Sequence, residues 1–307
     1  METRAAWYDL QVKEKQDLPK PGDTTSLDAL YAKAAEITRA GSRGFYFATR
    51  HFPLDLERAA HAVYWFCHYT LHLETHAALD EWASLINGAL RGALARHPVL
   101  DVFLDTVDQR AIPHDEPLEL IDGVRFDLDH SAYDSFAQLR ARCQRVGGMV
   151  SRMLAYVVGF REPALDYMSD LGVAIELTTL LRDTGTHVAM GRIYLPAEEM
   201  EACGYSLDDL KRHVRDDRFH ALMRMQCERI HAYFQRGEPA LPLLDPRGRF
   251  AVKVAFDLYR QTLRRIEASD FDVFRRQTGV PAMERAWITA RNMAGPVTRR
   301  LWRAMSA

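Results

Sequence analysis

The sequence predicts an all-α protein of one domain, and three observations carry that prediction. Apolar residues recur at helical spacing through the long segments. Ser, Thr and Asp stand where helices would begin, and Gly or Pro where they would end. A chain of 307 residues with 48% hydrophobic content suffices for one large core. A polar arm precedes the domain: residues 1–25 contain Leu18-Pro-Lys-Pro-Gly22 and read as irregular chain, which leaves 26–307 for the helices.

Thr24, Thr25 and Ser26, with Asp28, offer N-caps for a helix over Leu27–Ala40, and Gly41 is placed to stop it. Ser42 to Pro53 forms a second helical segment, and Pro53 with Asp55 starts another. Beyond Cys67, His68, His72 and His76 recur at steps of four, which stacks three imidazoles on one side of that helix. Such a row either shares a metal or is a set of polar side chains tolerated on a wall or surface. The missing Glu of a His-Glu-x-x-His signature favours the second.

Residues 78–104 keep helical spacing, and the acidic, proline-bearing stretch 111–130 reads as a surface loop with a short helix and no assigned chemistry. A long helix follows over Tyr133–Phe160, weakened in the middle by Gly147 and Gly148 and flanked there by Arg142, Arg145 and Arg152. Pro196 and Glu198 begin a further helix, and Gly204 and Ser206 form a turn and N-cap. Residues 217–234 are amphipathic, 239–246 break the pattern, and 250–274 close the core.

The most informative stretch runs from Leu171 to Pro196. Leu171, Ile175, Leu177, Leu180 and Leu181 give it helical spacing, while small Gly172 and Ala174 let another helix approach closely. Glu176, Thr179, Asp183 and His187 interrupt it at spacings of three, four and four, so at about 100° per residue they share a narrow face. That face is either half solvated or lines a polar cavity.

A formal charge of −2 gives no case for a nucleic-acid partner or a charged membrane surface. Cys67, Cys143, Cys203 and Cys227 are scattered without a Cys-x-x-Cys, which fits a reduced cytoplasmic protein. No apolar signal core opens the sequence and no run is apolar and long enough to span a bilayer.

Leu180-Leu-Arg-Asp183, Gly185 and Gly191-Arg-Ile-Tyr-Leu-Pro196 resemble the second signature of the squalene/phytoene synthase family. Tyr64 and Cys67 are similar to that family's approach to its first aspartate signature, Ser42 and Phe45 to its first block, and the segment from Leu258 to Arg276, with Tyr259, to its last. The resemblance covers about residues 30–290 and implies an isoprenoid-synthase helical bundle around a central cavity. It also implies that a glycine-rich stretch such as 146–150 lets an isoprenoid chain pass close to the backbone.

The four aspartates with which the family holds magnesium fall at Leu71, Thr75, Asp183 and His187, so a single carboxylate is left, and magnesium is doubtful as a cofactor. Gln and Asn of the family are Glu176 and Thr179, its tyrosine toward the diphosphate is Arg142, and a late Arg-Val is Gln277-Thr278, with Arg275 and Arg276 beside it. Asp183 and Glu176 are therefore the candidate catalytic residues and the candidate ligands of any reduced metal site. Ser42, Phe45, Tyr64, His68, His72, Arg142, Arg145, Thr179, His187 and Tyr259 are the candidate substrate-binding residues. Glu176 has three readings open to it: a metal ligand, a general base, or a carboxylate paired with Arg142 or Arg145.

The expected function is transfer of an allylic isoprenyl group from its diphosphate to a diphosphate-free acceptor, a small aromatic metabolite of specialised metabolism, as in the phytoene-synthase-like aromatic prenyltransferases. Arginines or protonated histidines would bind the single diphosphate directly. The alternatives are a non-catalytic family member acting as an assembly or partner protein and, third, a head-to-head squalene- or phytoene-type synthase.

Overall fold

The computed structural model describes residues 26–93, 97–275 and 279–293. The N-terminal arm, Arg276, Gln277, Thr278 and the end of the domain lie outside these residues. Every regular element among the described residues is helical, and extended pairing is confined to two isolated bridges, Ala132 with Ile193 and Phe160 with Leu244.

Local capping sets many of the boundaries. Ser26 accepts the Ala29 amide and opens α1 (Leu27–Gly41), and Ser42 accepts the Phe45 amide to open α2 (Arg43–Thr49). Helix α3 (Leu54–Leu71) follows Pro53. Thr75 then caps α4 (His76–Leu90), and Pro98 occupies the first turn of α5 (Pro98–Arg110).

The acidic stretch after residue 111 is not the surface loop that its composition suggests. Asp115–Asp129 is a fifteen-residue helix, α6, burying Leu120, Ile121 and Val124. Glu116 on it is 2% exposed and bonds the Arg152 guanidinium Nε at 2.8 Å, so a charge that reads as solvated is a buried half of an ion pair.

The expected long helix over 133–160 is present as a continuous helical run from 136 to 158, with its irregularity at the two glycines. Helix α7 (Phe136–Cys143) passes through a π-helical turn, Gln144–Gly148, into α8 (Met149–Val158). Then come the central helix α9 (Ala164–Arg182), α10 (Thr184–Ala189), α11 (Ala197–Ala202) and α12 (Leu207–Lys211), the last opened by a reciprocal capping box between Ser206 and Asp209. The amphipathic α13 (Asp217–Gly237), a 3-10 turn (Glu238–Leu243), α14 (Pro246–Ala268) and α15 (Ala282–Met293) complete the described chain.

The helices enclose two large apolar clusters. One gathers Val63, Trp65, Phe66, Trp82, Phe103 and Leu120 from α3 to α6. The other gathers Leu171, Leu177, Leu180, Phe219, Tyr233 and Phe256 from α9, α13 and α14. The segment after α7 belongs to both, since Val146, Met153 and Val157 join the first and Ala155 and Val158 the second. Helix α9 buries residues on several faces, as a helix running through a core must.

The histidine row does not survive as a stack. Helix α3 stops at Leu71, His72 is its C-cap, and His76 starts α4 with its Nε2 3.1 Å from Asp129. The stop follows from Thr75, whose hydroxyl accepts the Ala78 amide at 3.2 Å and so begins a new helix one turn later.

Two other histidines make stability fall in acid. Burial pushes His61 and His97 down to about 4, so between about pH 6.5 and pH 4 the unfolded chain binds two protons that the native chain refuses. Native stability is therefore lost as pH falls through that window, at about 1.4 kcal/mol per pKa unit for each group. His97→Phe, which keeps the ring packing on Trp82 at 4.9 Å, is expected to lower the pH slope of the urea midpoint measurably. An unchanged slope would remove His97 from this account.

Candidate active site

The site begins where two backbones touch. A Cβ added to Gly147 in the π-helical turn would lie 2.6 Å from the Glu176 Cβ and closer still to the Gly172 carbonyl, and one added to Gly172 would lie 2.7 Å from the Ser151 Oγ. The glycine-rich turn is thus spent on a helix crossing with α9, not on a path for an isoprenoid chain. Gly172 supplies the close approach expected of it.

Glu176 leaves α9 at this crossing, and its carboxylate is salt-bridged to the Nη1 of Arg142, which is 5% exposed. Of the three readings of Glu176, pairing with Arg142 is the one the structure contains. The other edge of the same guanidinium, Nε, lies 3.3 Å from Asp127 at the end of α6. Burial works against the charge of Arg142, but Glu176 and Asp127 outweigh it and hold the group protonated far above its ordinary range.

Asp127 is the residue that sequence reasoning missed. Its carboxylate accepts the Tyr133 hydroxyl at 2.7 Å and the Tyr194 hydroxyl at 2.8 Å, and Arg192 stands 3.6 Å away. Burial alone would raise its pKa; Arg142, the two tyrosines and Arg192 instead bring it below the ordinary carboxylate value. No local pattern marks it, because Tyr194 is 67 residues away in the chain.

Asp183 ends α9 and receives the Arg182 guanidinium at 2.9 Å and 2.5 Å. His187 follows on α10, its amide donating to the Asp183 carbonyl at 3.0 Å, its ring edge-on to Tyr194 at 4.8 Å and its Nδ1 buried without a hydrogen-bond partner. Burial lowers the His187 pKa, which keeps the imidazole neutral. Thr179 turns its hydroxyl back to the Ile175 carbonyl at 3.0 Å.

The expected residues of the first half form a ladder of rings. Phe45 stacks on Tyr64 at 5.4 Å, Tyr64 on His68 at 5.6 Å, and His68 meets His72 edge-on at 4.1 Å. Tyr259, on α14, ties this half to the other: its phenol lies beside Ser42 and within the field of Arg182, Glu176 and Asp183. Burial raises the Tyr259 pKa against the pull of Arg182 and Ser42, so the phenol stays protonated. Arg145 alone faces elsewhere, 3.8 Å from Glu119 with its guanidinium over the Phe126 ring at 5.9 Å.

At the positions of the family's aspartates stand Leu71, Thr75, Asp183 and His187. Leu71 is exposed, Thr75 is spent as a helix cap, and Asp183 is salt-bridged. Among the described residues no three His, Cys, Asp or Glu side chains converge as metal ligands would. A hollow of about 430 Å³ lies to one side, lined by Tyr133, Ile193, Leu195, Met200, Tyr205 and Leu207.

An all-helical bundle carrying a polar wall of this composition defines a protein of the isoprenoid-synthase type. The squalene/phytoene synthase profile matches residues 38–284, and the chain belongs to the squalene/phytoene synthase family. It is 33% identical to a 15-cis-phytoene synthase of Synechocystis sp. over 89% of this chain and 90% of that protein. With phytoene synthase 1 of Arabidopsis thaliana, a chloroplastic protein, the identity is 31% over 90% of this chain and 69% of that one.

Among solved structures, a dehydrosqualene synthase superposes with a TM-score of 0.82 at 23% identity over 87% of this chain and 96% of the other. Squalene synthase HpnC from Alicyclobacillus acidocaldarius superposes with a TM-score of 0.73 at 23% identity, over 80% and 95%. These confirm the fold. The chain is an enzyme of the prenyltransferase class, as its family is. No helix among the described residues is long and apolar enough to cross a membrane.

The crossing can be tested directly. Gly147→Ala and Gly172→Ala are each expected to cost about 1–3 kcal/mol or more in urea unfolding, because backbone rather than a flexible side chain stands in the way. Gly44→Ala, which meets nothing within 4 Å, serves as the neutral control. Equal stabilities of all three variants would contradict the crossing.

Proposed function

We propose that this protein ionises an allylic isoprenyl diphosphate and transfers the isoprenyl group. The observation that supports it is the meeting of Arg182, Asp183, Glu176 and Tyr259 beside Ser42 and the ring ladder, at the seam between the two apolar clusters. Apolar walls suit the isoprenyl chain and the rings shield a developing carbocation, while arginines take the charge that appears on the departing oxygens.

Family members generally use divalent metal such as magnesium for the diphosphate. In this chain Asp183 and Glu176 are the candidate ligands for a reduced site, and Arg182, paired with Asp183, stands beside them to bind phosphate oxygens directly. A non-catalytic assembly role is set aside, because the relatives that span most of the chain are enzymes by name.

For the acceptor, the relatives' names favour head-to-head coupling, in which the second substrate is another isoprenyl diphosphate, over the aromatic acceptor that the sequence suggested. One observation favours the second reading. A second diphosphate needs its own cations, and Leu71 and Thr75 offer no carboxylate to hold metal, while Arg142 is already shared between Glu176 and Asp127. The plant relatives are chloroplastic by name; the four free cysteines suit any reducing compartment, the cytoplasm included.

Incubation with short and long allylic diphosphates, with and without magnesium and an aromatic acceptor, separates these readings. Two diphosphates released per product molecule support head-to-head coupling; one, with the acceptor incorporated, supports the single-donor reaction. Release of none under any condition rejects the proposal. Asp183→Ala and Glu176→Gln are each expected to lower turnover by about two orders of magnitude without unfolding the protein, and near-normal turnover in both would remove this site.

A further inference from the structure

We infer that Asp127 is a positioning residue, which acts on the reaction through Arg142 to hold the Glu176 carboxylate in place on the wall of the site. The inference rests on the proposed prenyl transfer and assigns a residue outside both family signatures.

The argument is geometric. Glu176 is fixed at its Cβ by the crossing with Gly147, which leaves its carboxylate to be oriented by the group it pairs with, the Arg142 Nη1. A lone guanidinium has rotamer freedom; here it is restricted, because the Asp127 carboxylate forms an ion pair with its Nε edge at 3.3 Å. Asp127 is in turn clamped by the hydroxyls of Tyr133 and Tyr194 and faced by Arg192 at 3.6 Å. Segments before α7 and after α10 are thereby made to agree on where one carboxylate of α9 sits.

Charge adds a second reason: Asp127 shares the Arg142 guanidinium, so Glu176 keeps more of its own field than it would with Arg142 to itself. Aspartate is required in this position, since the two tyrosine hydroxyls donate to its two oxygens, whereas an asparagine of the same shape keeps one acceptor oxygen and returns the whole of Arg142 to Glu176.

Asp127→Asn tests the inference in the full-length enzyme. Turnover is expected to fall about tenfold to a hundredfold while the donor's KM and the unfolding midpoint stay close to wild type, and Asp127→Glu is expected to recover part of the loss. In a Glu176→Gln background the same Asp127→Asn change should cost nothing further. Equal costs in the two backgrounds, or none in either, would overturn it. Should no donor be turned over by the wild type, the arginine Nε–H resonance of Arg142 decides instead: slow exchange in wild type and fast exchange in Asp127→Asn support the positioning role, and equal exchange refutes it.

Discussion

The contact between Gly147 and Gly172 is the constraint on which the rest of this molecule depends. Two helical segments meet there at a separation that excludes any side chain, and only glycine on both sides permits it. The π-helical turn lets α7 and α8 follow different faces, so the segment serves the apolar cluster of α3 to α6 with Val146 and Met153 and that of α9, α13 and α14 with Cys143 and Ala155. Two cores are thereby pinned to one crossing, and Glu176 sits beside it.

Because both clusters are apolar, the polar groups between them must satisfy one another. Asp127, Glu176 and Asp183 are met by Arg142, Arg192 and Arg182, and the tyrosines fill the remaining acceptor sites. Each of these groups offsets the charge of its neighbours in a low-dielectric interior.

Local chemistry made much of the fold legible. The Ser26 cap, the start of α3 after Pro53, and the capping box of Ser206 and Asp209 each involve residues within a turn of one another, so the sequence displays them. The stripe of Glu176, Thr179, Asp183 and His187 was legible for the same reason, although α9 ends at Asp183 and His187 stands on α10. Helix α6 was not legible as buried, because its acidic side chains look solvated until Arg152 arrives from 36 residues away to cover Glu116. The histidine row was misread because a helix period predicts spacing but not where Thr75 starts a new helix.

The sequence by itself determined the helical class, most caps and the family, since these follow from periodicity and from short motifs whose members are neighbours in the chain. Only the tertiary structure decided that Arg142 belongs to Glu176 and Asp127, that Arg145 does not face the site, and that Tyr259 closes on Ser42. Those pairings join residues far apart in sequence, and burial sets their strength; both are properties of a packed interior rather than of any linear pattern.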